Sequence, residues 1–141
     1  MSVLENQPVS VAKIRVRYGE TDQMGHAYYG NYMLWFEESR GVWFRDRGST
    51  YKALEEQGYK LPVVEVWTKY RGEVKYDDLI EVRVWAAELR RASIKLQYEV
   101  FNTTTGKLTT EGYTWHVLVG DGMKAISWPD HLKDLVLKGV E

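Results

Sequence analysis

Residues 11–18 alternate in polarity, with Ile14, Val16 and Tyr18 on one side and Lys13, Arg15 and Arg17 on the other. A period of two predicts a strand with one buried face. Residues 19–29, containing Gly19 and Gly25, read as a loop. From Gly30 the period becomes helical. Tyr32, Trp35, Phe36, Ser39 and Trp43 share a face, while Glu37, Glu38, Arg40 and Arg45 lie mostly elsewhere on the wheel. Asn31 reads as the N-cap of this helix and Gly48 as its C-terminal stop. A shorter helical turn is expected at 50–57, ending at Gly58.

Beyond Leu61-Pro62 the pattern is mostly strand. Val64, Val66, Thr68 and Tyr70 alternate with Val63, Glu65, Trp67 and Lys69. The same period runs through Ile80, Val82 and Val84, through Ile94, Leu96, Tyr98 and Val100, and through Tyr113, Trp115, Val117 and Val119. Breaks at Asp77-Asp78, at Arg90-Arg91 and from Asn102 to Gly106 suit tight antiparallel turns. Pro129 opens a short C-terminal segment with Leu132, Leu135 and Val136 at helical spacing. No repeat or linker divides the chain, so one domain over 1–141 is expected. Strand, helix, then four strands indicate α+β, an antiparallel sheet packed on one long helix. Trp67 and Trp85 fall on the outer face of such a sheet, which favours burial against another subunit.

Composition narrows the classes of function. A chain of 141 residues with 44% hydrophobic content suits one compact core. A net charge of −1 gives no electrostatic case for nucleic acid or a membrane surface. The absence of cysteine excludes disulfides, thiolate catalysis and Cys-ligated metals. Met1 to Ser10 lacks the apolar core of a signal peptide, and no stretch approaches the roughly 18 apolar residues of a membrane span. A soluble, cytoplasmic protein is expected. Its 6 tryptophans and 10 tyrosines suit a core, an oligomer interface or a ligand pocket.

The chemistry sits in the loop before the long helix. A carboxylate there faces the helix N-terminus, whose free N–H groups can polarise a carbonyl. That pairing is the minimum equipment for acyl transfer or hydrolysis. A loop aspartate such as Asp22 also suits an Asx-turn or a helix cap, and His26 a loop-stabilising role. His116 and His131 stand far away in sequence, without H-x-x-x-H spacing, so no metal site is expected.

The segment Tyr18-Gly19-Glu20-Thr21-Asp22-Gln23-Met24-Gly25-His26, followed by Tyr29-Gly30-Asn31-Tyr32-Met33-Leu34-Trp35-Phe36-Glu37, resembles the hotdog-fold acyl-CoA thioesterases. The likeness is greatest to the 4-hydroxybenzoyl-CoA thioesterase-like group: a T-D-x-x-G loop, an A-N-Y-like helix entry and a hydrophobic helix carrying F-E. The element order extends it over essentially the whole chain. Two departures stand out. Gly72-Glu73 replaces a Pro-Ala common before the acidic turn, and Tyr29 stands where one branch carries histidine.

The resemblance implies an antiparallel sheet of about five strands wrapped around a central helix, and hydrolysis of an acyl-CoA to free acid and CoA. It makes Asp22 the essential carboxylate, as nucleophile or as general base, with both left open. The Tyr29 backbone N–H, with Gly30 beside it, becomes the oxyanion donor. His26 would orient water or substrate, or donate a proton to the leaving thiolate. Asn31 and Tyr32 are candidate substrate contacts, as are Tyr28, Trp35 and Tyr59 for the acyl group. Lys69, Arg71, Lys75, Arg90, Arg91 and Ser93 are candidates for coenzyme A, whose phosphates need cations. Coenzyme A enters as part of the substrate, so no separate cofactor is expected. The family's active sites form between subunits, implying a homodimer or a dimer of dimers. Two alternatives share the fold: an acyl-thioester hydratase or dehydratase using Asp22 and His26, and a non-catalytic acyl-CoA binding module.

Overall fold

The computed structural model of the chain describes residues 2–137. The strands are β1 (Ser2–Val3), β2 (Ser10–Arg15), β3 (Val63–Tyr70), β4 (Leu79–Leu89), β5 (Ser93–Asn102) and β6 (Lys107–Val117). The helices are α1 (Asn31–Asp46), α2 (Tyr51–Glu56) and α3 (Asp130–Leu137). The sheet is antiparallel in the order β1-β4-β5-β6-β3. β2 pairs with β4 as well, from Ser10 opposite Val84 to Arg15 opposite Leu79. The short β1 and β2 thus share one flank of β4, and the sheet is five strands wide.

Helix α1 forms where the 3.6 period predicts it. Its buried residues are Tyr32, Trp35, Phe36, Ser39, Trp43 and Phe44. Gly48, in the left-handed region at φ +76°, follows the end of the helix as the C-terminal stop. Phe36 stacks on Tyr98 of β5 with ring centroids 4.2 Å apart and planes 14° apart. Gly112 of β6 makes room for this contact: a Cβ there would lie 3.0 Å from Phe36 Cζ and 2.9 Å from the Trp67 carbonyl oxygen.

The inner face of β4 and β5 is the expected one, with Ile80, Val82, Val84, Ile94, Leu96, Tyr98 and Val100 all buried. On β6 the apolar and inner sides part company. Gly112, Thr114 and His116 alternate with Tyr113 and Trp115, and it is Thr114 and His116 that are buried. Thr114, His116 and Tyr98 form a hydrogen-bonded row under α1. Arg40 Nη1 lies 3.1 Å from the Tyr98 hydroxyl. That hydroxyl is 2.6 Å from Thr114 Oγ1, which is 2.8 Å from His116 Nε2. His116 Nδ1 is 3.0 Å from the Leu61 carbonyl oxygen. Burial pushes the His116 pKa down to about 4.

Two local expectations are corrected. The first strand stops at Arg15, and Tyr18 is not on a buried strand face. It begins a 3-10 turn, Tyr18–Glu20, and lies exposed, edge-on to Tyr76. The N-cap is Gly30, with Asn31 the first helical residue. β3 forms as expected, but seven of its eight residues are exposed, because it is the free edge of the sheet and overhangs the helix. Among the described residues no helix is long and apolar enough to cross a membrane.

Candidate active site

The loop between β2 and α1 is a small closed hairpin. Thr21 bridges Ala27, and the Asp22 amide donates to the His26 carbonyl at 2.8 Å. A tight turn closes it, with the Gly25 amide donating to the Asp22 carbonyl at 3.0 Å. Gly25 sits at φ +79°, a conformation that favours glycine. The hairpin rests on the segment before β4: the Ala27 amide donates to the Val74 carbonyl at 2.7 Å, and His26 bridges Lys75.

Asp22 is exposed, and among the described residues donors reach only one of its carboxylate oxygens. Oδ1 accepts from the Met24 amide at 2.9 Å and the His26 amide at 3.2 Å. This is the Asx-turn that sequence offers as the alternative to a reactive role, and it is compatible with both. The turn fixes the carboxylate by one oxygen and leaves Oδ2 without a donor among the described residues.

The start of α1 holds the complementary groups. The Tyr28 amide donates to the Glu20 carbonyl, the Asn31 amide to the Tyr28 carbonyl and the Tyr32 amide to the Tyr29 carbonyl. The Tyr29 and Gly30 amides, between them, donate to no acceptor among the described residues. These two N–H groups lie at the positive end of a 16-residue helix, an arrangement able to stabilise negative charge placed there. Gly30 is closely approached: a Cβ there would lie 2.6 Å from the Tyr28 ring.

The side chain of His26 turns toward Glu73, with Nε2 3.5 Å from Oε1, and Lys75 Nζ lies 3.5 Å from the other Glu73 oxygen. No His26 ring nitrogen comes within 4 Å of an Asp22 oxygen among the described residues. The Gly72-Glu73 departure therefore supplies the carboxylate that faces His26. Asn31 donates from Nδ2 to the Glu20 carbonyl at 2.8 Å, so its amide tethers the loop rather than capping the helix. Tyr32 and Trp35 are core residues, while Tyr28 and Tyr29 are exposed and pack on each other with centroids 4.6 Å apart. Tyr59 is half-buried against the core.

The cationic candidates divide. Lys69 is exposed on the edge strand, Arg71 pairs with Glu111, and Lys75 stands beside the hairpin. Arg90 and Arg91 lie in the β4–β5 turn, and Ser93 opens β5. Arg90 pairs with Glu88 at 3.3 Å and lies over Trp115, and Arg91 donates to Ser127 Oγ at 2.9 Å. The Ser93 carbonyl accepts from the Arg90 amide and the Trp128 indole. β4 begins beside the loop and runs away from it, so within one protomer this turn is about 30 Å away.

Sequence reading passed over Glu20. Its carboxylate is buried below the hairpin at 6% exposure. Oε2 accepts from the Trp35 indole N–H at 2.8 Å and from Arg17 Nη2 at 3.3 Å, and Oε1 accepts from the Arg17 amide at 2.8 Å. Burial pushes its pKa up, but the Arg17 and Trp35 donors outweigh burial and hold it below the ordinary carboxylate value. The available signal was a second carboxylate two residues before Asp22. Among the described residues no group of three or more His, Asp or Glu side chains is arranged to hold a metal ion.

One antiparallel sheet curled over a long helix, with an aspartate-bearing loop at the helix entry, defines a hotdog-fold thioesterase. The sequence profile of the thioesterase-like superfamily matches residues 16–136, and the chain belongs to that family. It is 32% identical over 111 residues to the putative acyl-CoA thioesterase YneP of Bacillus subtilis, covering 79% of this chain and 80% of YneP. The DHNA-CoA thioesterase of Staphylococcus aureus superposes with a TM-score of 0.86 at 31% identity, over 92% of this chain and 89% of that one. A 4-hydroxybenzoyl-CoA thioesterase bound to 4-hydroxybenzoyl-CoA shares the fold, with a TM-score of 0.81 at 23% identity over 91% of this chain and 98% of that one.

Proposed function

We propose that this chain hydrolyses an acyl-CoA thioester to free acid and CoA, with Asp22 as the reacting carboxylate. The observation that carries the reading is the pairing of a half-tethered carboxylate with two unsatisfied amides. Asp22 Oδ1 is held by the Met24 and His26 amides, and the Tyr29 and Gly30 amides lack an acceptor at the helix entry. A thioester carbonyl oxygen set on those amides is stabilised most as it becomes an oxyanion. Asp22 then acts in one of two balanced ways. As general base it takes a proton from water while the hydroxide adds to the carbonyl carbon. The tetrahedral centre then collapses, the C–S bond breaks and the thiolate recovers the proton. As nucleophile it adds through its own oxygen and expels the thiolate, and water cleaves the resulting anhydride.

His26, set against Glu73, lies beside the reaction rather than paired with Asp22, which favours hydrolysis over a hydration chemistry needing an Asp–His couple. Lys75, bridged to His26 of the hairpin, suits a phosphate of coenzyme A. The free edge of β3 and the exposed Val64, Val66 and Trp67 suit a second copy of this chain, giving a homodimer or a dimer of dimers. Such pairing would bring a partner's β4–β5 turn within reach of substrate, a role for Arg90, Arg91 and Ser93 that one protomer does not offer.

The test is thiol release from a panel of acyl-CoAs by wild type and Asp22→Asn. At least one thioester is expected to be hydrolysed, and the variant to lose about a hundredfold or more in kcat. Activity that survives the substitution removes Asp22 from the reaction. Silence across the whole panel removes the thioesterase reading and turns attention to hydratase and binding assays.

A further inference from the structure

We infer that Glu20 is the positioning residue of this site, a buried carboxylate that sets the gap between Asp22 and the Tyr29–Gly30 amides. The inference rests on the thioesterase reading above. Glu20 is fastened at both its ends. Its side chain holds the Arg17 amide and the Trp35 indole, and its carbonyl holds the Tyr28 amide and Asn31 Nδ2, each of these four at 2.8 Å. Asn31 and Trp35 are one turn apart on α1, so Glu20 grips a single face of the helix.

The two anchored stretches bracket the reacting groups. Asp22 lies two residues after Glu20, with only Thr21 between them. Thr21 is itself held, by its hydroxyl to the Tyr18 carbonyl at 2.7 Å and by its bridge to Ala27. Tyr29 directly follows the anchored Tyr28. The loop therefore has little freedom to move its carboxylate relative to the helix entry without breaking a bond to Glu20. Catalysis across such a gap is sensitive to displacement on the order of 1 Å. Both Glu20 oxygens are occupied below the loop, so this carboxylate is neither the base nor the nucleophile. A leucine would fill the same space but would leave the Trp35 indole and the Arg17 amide without acceptors.

The experiment compares Glu20→Ala, Glu20→Gln and Trp35→Phe with wild type, using steady-state thiol release and amide hydrogen exchange well below the unfolding temperature. Glu20→Ala is expected to lower kcat by roughly tenfold to a hundredfold with KM changed by less than about threefold. Its exchange should quicken over 21–31 and remain unchanged in β4 and β5. Glu20→Gln keeps one acceptor oxygen and should recover part of kcat, and Trp35→Phe should reproduce the loosening. Wild-type kcat in Glu20→Ala, or exchange that quickens evenly across the sheet, overturns the inference. If the alanine variant does not fold, the other two decide by the same readouts. If wild type releases no thiol but exchange quickens over 21–31 alone, the clamp stands and the thioesterase reading falls.

Discussion

At the scale of single residues, the polar row under α1 has a direction that chemistry forces. Arginine only donates and a backbone carbonyl only accepts. A neutral His116 must give its Nδ1 proton to Leu61, so its Nε2 accepts from Thr114. Thr114 in turn accepts from Tyr98, and Tyr98 from Arg40. A second proton on His116 breaks this sequence at Thr114. With the folded pKa near 4 against an ordinary 6.5, the unfolded chain binds the extra proton between those values. Stability is therefore full above about pH 6.5 and falls as pH drops toward 4, by at most about 3 kcal/mol from this residue. Urea unfolding from pH 7.5 to 4.5 should show that slope, and His116→Gln should flatten it. An unchanged slope in the variant would assign the acid sensitivity to other groups. Sequence offers Asp22 an Asx-turn or a reactive role but not both at once; that Oδ1 takes the turn while Oδ2 is left without a donor among the described residues depends on the path of the four following residues.

At the scale of elements, α1 was the most legible. Five spaced side chains, Tyr32, Trp35, Phe36, Ser39 and Trp43, were read as one face, and all five are buried. β6 was less so: its aromatics Tyr113 and Trp115 point away from the helix, where Trp67 stacks on Tyr113 and Arg90 covers Trp115. Alternation identifies two faces but does not say which is inward. That is decided by volume across the interface, where Phe36 already occupies the space above Gly112. Gly112→Ala should therefore destabilise by about 1–3 kcal/mol, since both the Phe36 ring and the Trp67 backbone would have to move. Thermal or urea denaturation checks this, and a loss under about 0.5 kcal/mol would show that the interface yields easily. α1 begins one residue earlier than capping preference predicts, because Asn31 is a good capping residue in isolation. Its amide is drawn instead to the Glu20 carbonyl across the loop.

At the scale of the whole molecule, the strand order could be read as antiparallel, but the free edge could not. β3 follows α1 and α2 in sequence yet, among the described residues, pairs only with β6, which leaves Val64 at 60% and Val66 at 42% exposure. A long apolar edge is a template for another strand. Sedimentation or light scattering should find wild type as a dimer or larger at micromolar concentration. The double variant Val64→Lys, Val66→Lys should shift toward monomer and lose thiol release in parallel. A monomeric, fully active wild type would refute the shared-site arrangement. The Arg90-Arg91 turn bears on the same experiment: under the proposed shared site, substituting those cations should weaken acyl-CoA binding in the dimer.

The amides at the helix entry carry a longer-range consequence. They belong to the main chain, so among replacements at Tyr29 only proline deletes the donor itself, and glycine, tyrosine or histidine there would present the same N–H. Under the proposed reaction, the side chains around the helix entry can therefore vary while the main-chain amides stay in place. A directed-evolution library over the exposed Tyr28 and Tyr29, with proline excluded at 29, would explore substrate range with those amides retained.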